Sequence, residues 1–103
     1  MPKYLIERRI PGAGQMSSED LQAIAEKSNS VLRDLTRKGN TVQWIESFVT
    51  DEGITCVYVA SDPEIVREHA RCGGFPADRI TEVRNMINPI TGDRVLSSAS
   101  SVI

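Results

Sequence analysis

The sequence has few of the side chains from which metal and redox sites are most often built. Its 103 residues include one histidine and two cysteines. A closed zinc site needs four ligands, so these three residues could form one only if carboxylates or a second chain contributed. Composition alone therefore excludes a self-contained zinc finger.

Long apolar runs and an excess of basic charge are also missing. No apolar run approaches the ~20 residues that span a bilayer, and the N-terminus carries charges where a signal peptide needs its apolar region. The 12 basic and 14 acidic residues give a net charge of −2, whereas nucleic-acid binding calls for a basic surface. We therefore predict a cytoplasmic protein with no nucleic-acid or membrane partner, whose cysteines are free thiols.

The residues that are present predict one α+β domain. The predicted elements, in chain order, are a strand over 3–9, a helix over 18–38, a hairpin of strands over 41–50 and 54–60, a helix over 63–72 and a strand over 79–88. The order βαββαβ predicts a ferredoxin-like sandwich, in which two helices cover one face of a four-stranded antiparallel sheet. We expect this domain to occupy residues 1–90, followed by a serine-rich tail over 91–103.

The register of the central hairpin has two interpretations. A three-residue turn, 51–53, places Cys56 and Tyr58 with Trp44, Glu46 and Phe48 on the bare face of the sheet. The aliphatic set that then faces the helices is Ile45, Val49, Val57 and Val59. A two-residue turn instead puts Cys56 and Tyr58 on the helix side. In the first register Trp44 and Phe48 form an apolar patch, which predicts a homodimer through the open sheet face.

The candidates for chemistry lie in the strand–helix unit over 54–76, which holds the histidine and both cysteines. A helical projection places His69 and Cys72 on the buried side of the second helix and Glu68 on its polar side. Imidazole and thiolate are good ligands for nickel, copper and zinc. His69 and Cys72 are three residues apart on one helical turn, and Cys56 could add a third ligand if its strand faces the helix.

Two other functions compete with metal binding. A Cys56 thiol near the His69 imidazole could be an activated nucleophile, in a small-molecule pocket whose polar groups would be Tyr58, His69, Glu46 and Arg8. Alternatively, the protein is a plain structural or interaction module in which the histidine packs in the core. On either interpretation, Ser28 on the apolar stripe of the first helix is a small packing residue.

Several motifs resemble one small bacterial family. They are K-Y-L-I-E-R, I-P-G-A-G, C-V-Y-V-A, V-R-E-H-A, G-F-P and P-x-T-G, together with the strand that contains the tryptophan, and they cover about residues 3 to 90. The chain is similar to a domain-of-unknown-function (DUF4242-like) family typified by a nickel-binding protein with a ferredoxin-like fold. The resemblance implies non-catalytic nickel binding and supports Cys56, Tyr58, Glu68 and His69 as ligands. Cys72 departs from the family pattern, and we add it as a candidate on helical spacing alone.

Overall fold

A computed structural model describes residues 1–93 of the protein. The elements are β1 (Lys3–Arg9), a 3-10 turn (Ala13–Gln15), α1 (Ser18–Arg37), β2 (Val42–Thr50), β3 (Gly53–Ala60), α2 (Pro63–Gly73), β4 (Arg79–Val83) and α3 (Pro89–Asp93). The strands form one sheet in the order β2-β3-β1-β4, and every neighbouring pair is antiparallel. The predicted ferredoxin-like architecture is confirmed.

Local capping explains where the two long helices begin and end. The Ser17 hydroxyl accepts a hydrogen bond from the Asp20 N–H over 3.1 Å, and the Asp20 carboxylate accepts one from the Ser17 N–H, which makes a capping box. At the start of α2, Asp62 accepts from the Ile65 N–H over 3.1 Å. Gly74 ends α2 with φ of 70°, a left-handed conformation that glycine adopts without steric cost.

The central hairpin has the two-residue turn, Asp51 and Glu52, because Thr50 pairs directly with Gly53. The three-residue alternative is wrong, and Cys56 and Tyr58 lie on the helix side of the sheet. The reason is the pairing with β1, which sets Cys56 opposite Ile6 and builds one continuous apolar face against the helices. Val57 and Val59, expected beneath the helices in the other register, lie on the open face.

A β-bulge in β2 decides the position of the only tryptophan. Trp44 pairs with Tyr58, yet Glu46 pairs with Val57, so Ile45 is an extra residue. Without this extra residue Trp44 would pair with Val59 and lie on the open face. The bulge turns Trp44 to the helix side, where its indole N–H donates to the Ser47 hydroxyl over 2.9 Å. The expectation that Trp44 belongs to the open face is therefore wrong, whereas Phe48 does lie there.

The last strand is shorter than the sequence predicts. β4 ends at Val83 rather than near residue 88, because its pairing with β1 ends where Val83 meets Lys3, the first residue of β1. Pro89–Asp93 forms a short helix instead of a turn. Residues 94–103 of the predicted serine-rich tail lie outside the described residues, and the domain boundary at residue 90 stays a prediction. In the part that is described, no helix is both long and apolar enough to cross a bilayer.

Candidate functional site

A buried polar cluster lies between the sheet and the two helices. Its members come from four different parts of the fold: Arg8 from β1, Ser28 from α1, Tyr58 from β3 and His69 from α2, with Phe75 following α2. The Ser28 hydroxyl is central, since it lies 3.0 Å from His69 Nε2 and 3.3 Å from the Tyr58 hydroxyl oxygen. One hydroxyl of α1 thus links two buried aromatic groups that lie 30 and 41 residues further along the chain.

His69 is fully buried because α2 is amphipathic and its position falls on the apolar side with Ile65 and Val66. Its ring lies 5.1 Å from the Tyr58 ring and 5.5 Å from the Phe75 ring, on which it stacks. Burial, and then the positive charge of Arg8, lowers the pKa of His69 from 6.5 to about 4. The imidazole is therefore neutral at pH 7, and its Nδ1 is buried without a hydrogen-bond partner in the described structure.

Tyr58 stays protonated at neutral pH. Burial raises the pKa of its phenol above 10.0, and this effect outweighs the hydrogen bonds and charge from Ser28 and Arg8, which lower it. The side chain is 2% exposed, so its hydroxyl acts as a hydrogen-bond group within the protein rather than toward bulk water. Tyr58 therefore supplies a donor at the edge of the cluster.

An apolar cavity of about 220 Å³ adjoins the cluster. Its apolar walls include three residues of α1 and three of the sheet, namely Leu21, Ile24, Ala25, Trp44, Val49 and Ile54. Arg8, Ser28 and Tyr58 also line the cavity, as does the Cys56 thiol, whereas the His69 ring lies behind them and does not. The arrangement is that of a small-molecule pocket, mostly apolar with a few polar groups at one place.

The five residues predicted as metal ligands divide into two groups. Cys56, Tyr58 and His69 are buried on the helix side of the sheet. Glu68 and Cys72 lie together on the outer side of α2, where the Cys72 thiol donates to a Glu68 carboxylate oxygen over 3.4 Å. A hydrogen bond from Arg71, then one from Cys72, lowers the pKa of Glu68.

Cys72 is exposed, so its predicted place beside His69 on the buried side of α2 is wrong. The chain turns at Gly74, and Phe75 folds back over Gly73 so that its ring stacks on His69. The Phe75 N–H donates to the Ala70 carbonyl over 2.9 Å and fixes this return. Phe75 thus occupies the space next to the imidazole, and the thiol one turn from His69 remains at the surface.

The donors among residues 1–93 do not make a nickel centre within one copy of the chain. Among residues 1–93 there is no group of three or more His, Cys, Asp or Glu side chains that could hold one ion. The positive charge of Arg8, which lowers the pKa of His69, would also oppose the binding of a metal cation there. The five residues stay predicted ligands, and a complete shell would need groups beyond this set.

Sequence reasoning missed the role of Ser28 and Phe75 and misplaced Glu46. Ser28 is more than a packing residue, since it joins Tyr58 to His69. The available signal was a polar residue on the otherwise apolar stripe of α1. Glu46, expected as a polar group of the pocket, lies on the open face because it pairs with Val57, whereas Arg8 and Tyr58 do line the cavity as expected.

The fold and site together define a small ferredoxin-like α+β protein with a buried imidazole cluster beside an apolar cavity. The family model described as "Nickel responsive protein SCO4226-like" matches residues 4–83, and the chain belongs to that family. The crystal structure of SCO4226 from Streptomyces coelicolor A3(2) is similar, with a TM-score of 0.67 over 82% of this chain and 99% of that chain. At 19% sequence identity this likeness shows the fold alone. No curated protein matches the sequence. The predicted membership of a small nickel-related family is confirmed by the family model, and the DUF4242 label stays a prediction.

Proposed function

We propose that this protein binds a small, largely apolar molecule in the cavity between α1 and the sheet. The observation that carries the proposal is the cavity itself, about 220 Å³ in volume with mostly apolar walls. It is smaller than the roughly 300–1,000 Å³ of pockets for drug-sized ligands, so the ligand is a small metabolite. Burial of apolar ligand surface against α1 and the sheet would supply the free energy of binding.

The buried polar cluster supports a function of ligand binding without catalysis. Ser28 and His69 have the spacing of a nucleophile and its base, at 3.0 Å. An imidazole with a pKa of about 4, however, is a weak base at pH 7. Within residues 1–93 its Nδ1 also has no carboxylate to orient it, unlike the base of a catalytic triad.

Filling the cavity tests the proposal. The Ala25→Leu substitution places three additional carbon atoms at the cavity wall, and we expect it to weaken binding of the neutral probe benzamide about tenfold or more. The emission of Trp44, the only tryptophan and itself part of the wall, reports binding directly.

The matched control is Ala23→Leu, which makes the same change on the exposed side of α1. It should leave the affinity for benzamide unchanged. Equal binding by the Ala25→Leu variant and the parent protein would contradict the proposed location of the ligand.

Nickel binding is the second candidate function, and one structural observation favours it. The family description names a response to nickel. In this chain the imidazole of His69 is neutral, which is the protonation state that a metal ligand requires, and its Nδ1 has no hydrogen-bond partner within residues 1–93. Since residues 1–93 of one copy do not gather a full ligand set, this candidate function requires additional donors, such as those of a second chain.

If the protein binds nickel, replacing His69 should lower its affinity for Ni²⁺. Untagged protein is titrated with Ni²⁺ by calorimetry, and His69→Gln is expected to lower the affinity about tenfold or more. Cys72→Ser tests the exposed predicted ligands separately, because that thiol lies at the surface apart from the buried donors. Unchanged affinity in the His69→Gln variant would exclude the imidazole from the site.

We further propose that a second copy of the chain covers the open sheet face. The support is that Leu5, Val57, Val59 and Phe48 share this face, and that Phe48 is 54% exposed in the single chain. Phe48→Glu is expected to shift the protein from dimer to monomer in sedimentation equilibrium. Glu46→Gln, a change at a neighbouring position on the same face, should leave the dimer intact; a parent protein that is monomeric at high concentration would refute the proposal.

A further inference from the structure

Arg8 is a buried cation whose hydrogen bonding is incomplete. The alternation of β1 places it on the helix side, where the residue is 5% exposed. Its Nη1 donates to the Pro76 carbonyl over 2.6 Å, and the guanidinium carbon lies 5.4 Å from the centre of the Phe75 ring. Its Nη2 is buried with no hydrogen-bond partner within the described structure.

Within residues 1–93, no carboxylate compensates the charge of Arg8. The ion pairs found in that range involve other arginines, and none of its carboxylates lies within ion-pair distance of Arg8. A buried charge without a counter-ion is strongly unfavourable, so buried arginines normally face a carboxylate or another anion. Here no acidic side chain within residues 1–93 takes the position of that anion.

The cavity beside Arg8 is suited to an anion with an apolar body. Among residues 1–93, Arg8 is the only charged residue on its wall, and no acidic or second basic side chain of that range lines it. The Tyr58 hydroxyl, which lies 3.3 Å from the Ser28 hydroxyl, is a further donor on the same wall. Ser47 and the Cys56 thiol also line the cavity, and the rest of the wall is aliphatic apart from the aromatic rings of Trp44 and Phe75.

We propose that the cavity binds a small organic carboxylate, whose anionic head pairs with Arg8 and the Tyr58 hydroxyl while its apolar body lies between α1 and Trp44. This inference rests on the proposed function, because it names the chemical class of the molecule that the cavity holds. A planar carboxylate fits the fork of a guanidinium, which can donate two parallel hydrogen bonds to it. The size of the cavity restricts the body to about that of one aromatic ring or a short aliphatic chain.

The test compares benzoate with its neutral isostere benzamide, using the emission of Trp44 and calorimetry on the full chain. We expect benzoate to bind about tenfold or more tightly than benzamide, which is the effect of one hydrogen-bonded charge pair. In Arg8→Met the preference should disappear, with both compounds binding about as benzamide binds the parent protein. Arg9→Met removes the same charge from the exposed side of β1 and should keep the preference.

The outcomes separate the inference from the function on which it rests. Equal binding of benzoate and benzamide by the parent protein, with both lost in Ala25→Leu, would overturn the carboxylate assignment and leave the cavity function standing. No binding of either compound would overturn both. If Arg8→Met does not fold, Arg8→Lys keeps the charge without the planar fork, and an undiminished benzoate preference in that variant would contradict the bidentate pairing. Inorganic phosphate that displaced benzoate at equal concentration would show that the apolar body contributes nothing, and would also refute the assignment.

Discussion

Acidification from pH 7 to pH 4 is expected to lower the free energy of unfolding by about 3 kcal/mol through the protonation of His69 alone. The pKa of the buried imidazole is about 4, against an ordinary value of 6.5. Because the folded-state pKa is the lower of the two, the unfolded chain takes up the proton first as the pH falls. The stabilisation that the neutral imidazole gives to the fold is therefore complete above about pH 6.5. It declines as the pH falls toward 4 and does not change further below that pH.

Urea unfolding of the parent protein and of His69→Gln across this pH range isolates the effect. Carboxylates titrate in both proteins, so only the difference between their two pH slopes reports the imidazole. The charged and hydrogen-bonding groups that face it are Arg8, Tyr58 and Ser28, and these stay in place in the variant. Since the chain has one histidine, a proton NMR titration assigns its pKa without ambiguity. A folded-state value near 6.5, or parallel slopes, would contradict the prediction.

Gly53→Ala is expected to destabilise the protein by about 3 kcal/mol or more, a large part of the roughly 5–15 kcal/mol that holds a domain together. Gly53 is the first residue of β3 and pairs with Arg9 of β1. A methyl group at this position would lie 2.0 Å from the Arg8 carbonyl oxygen and 3.0 Å from the Ile10 backbone nitrogen. Both obstacles are backbone atoms, so relief requires moving β1 and breaking its pairing with β3.

The matched control is Gly92→Ala, since a methyl group there meets no atom within 4 Å and the backbone has no positive φ. Its effect on the midpoint of thermal unfolding should be small. The Gly53→Ala variant, by contrast, should unfold many degrees lower, or fail to fold, and also lose the cavity that Arg8 and Ile54 help to line. A variant with parent-like stability would show that β1 can shift without cost.

The order of the elements was predictable because each has a local cause. Ser17 and Asp62 cap the two long helices, Gly74 ends the second, and apolar spacing separates helix from strand. These signals act within a few residues, and they predicted α1, α2 and the βαββαβ order from the sequence. The end of β4 was not predictable in this way, because it depends on where its neighbour β1 begins.

The site was predictable only in part. His69 was correctly expected on the buried side of α2, because helical period alone determines that side. Arg8 and Tyr58 were candidates for a pocket, and both line the cavity. Cys72 and Glu46 were misplaced for different reasons: the return of Phe75 over Gly73 leaves the thiol at the surface, and the pairing of β2 with β3 sends the carboxylate to the open face.

The sequence by itself determined the elements, their order and the buried side of each helix, because these follow from interactions between residues that are near each other along the chain. Tertiary structure decided the faces of the strands. A shift of one residue exchanges every side chain between the two sides of a sheet, and the extra residue at Ile45 makes that exchange within β2. The pairing of β3 with β1 thereby placed Tyr58 beside Ser28 and His69, and the bulge placed Trp44 on the cavity wall. The proposed ligand depends on the charge of Arg8, which no carboxylate among residues 1–93 pairs with. This is visible only in three dimensions, because the positions of those carboxylates are a property of the fold.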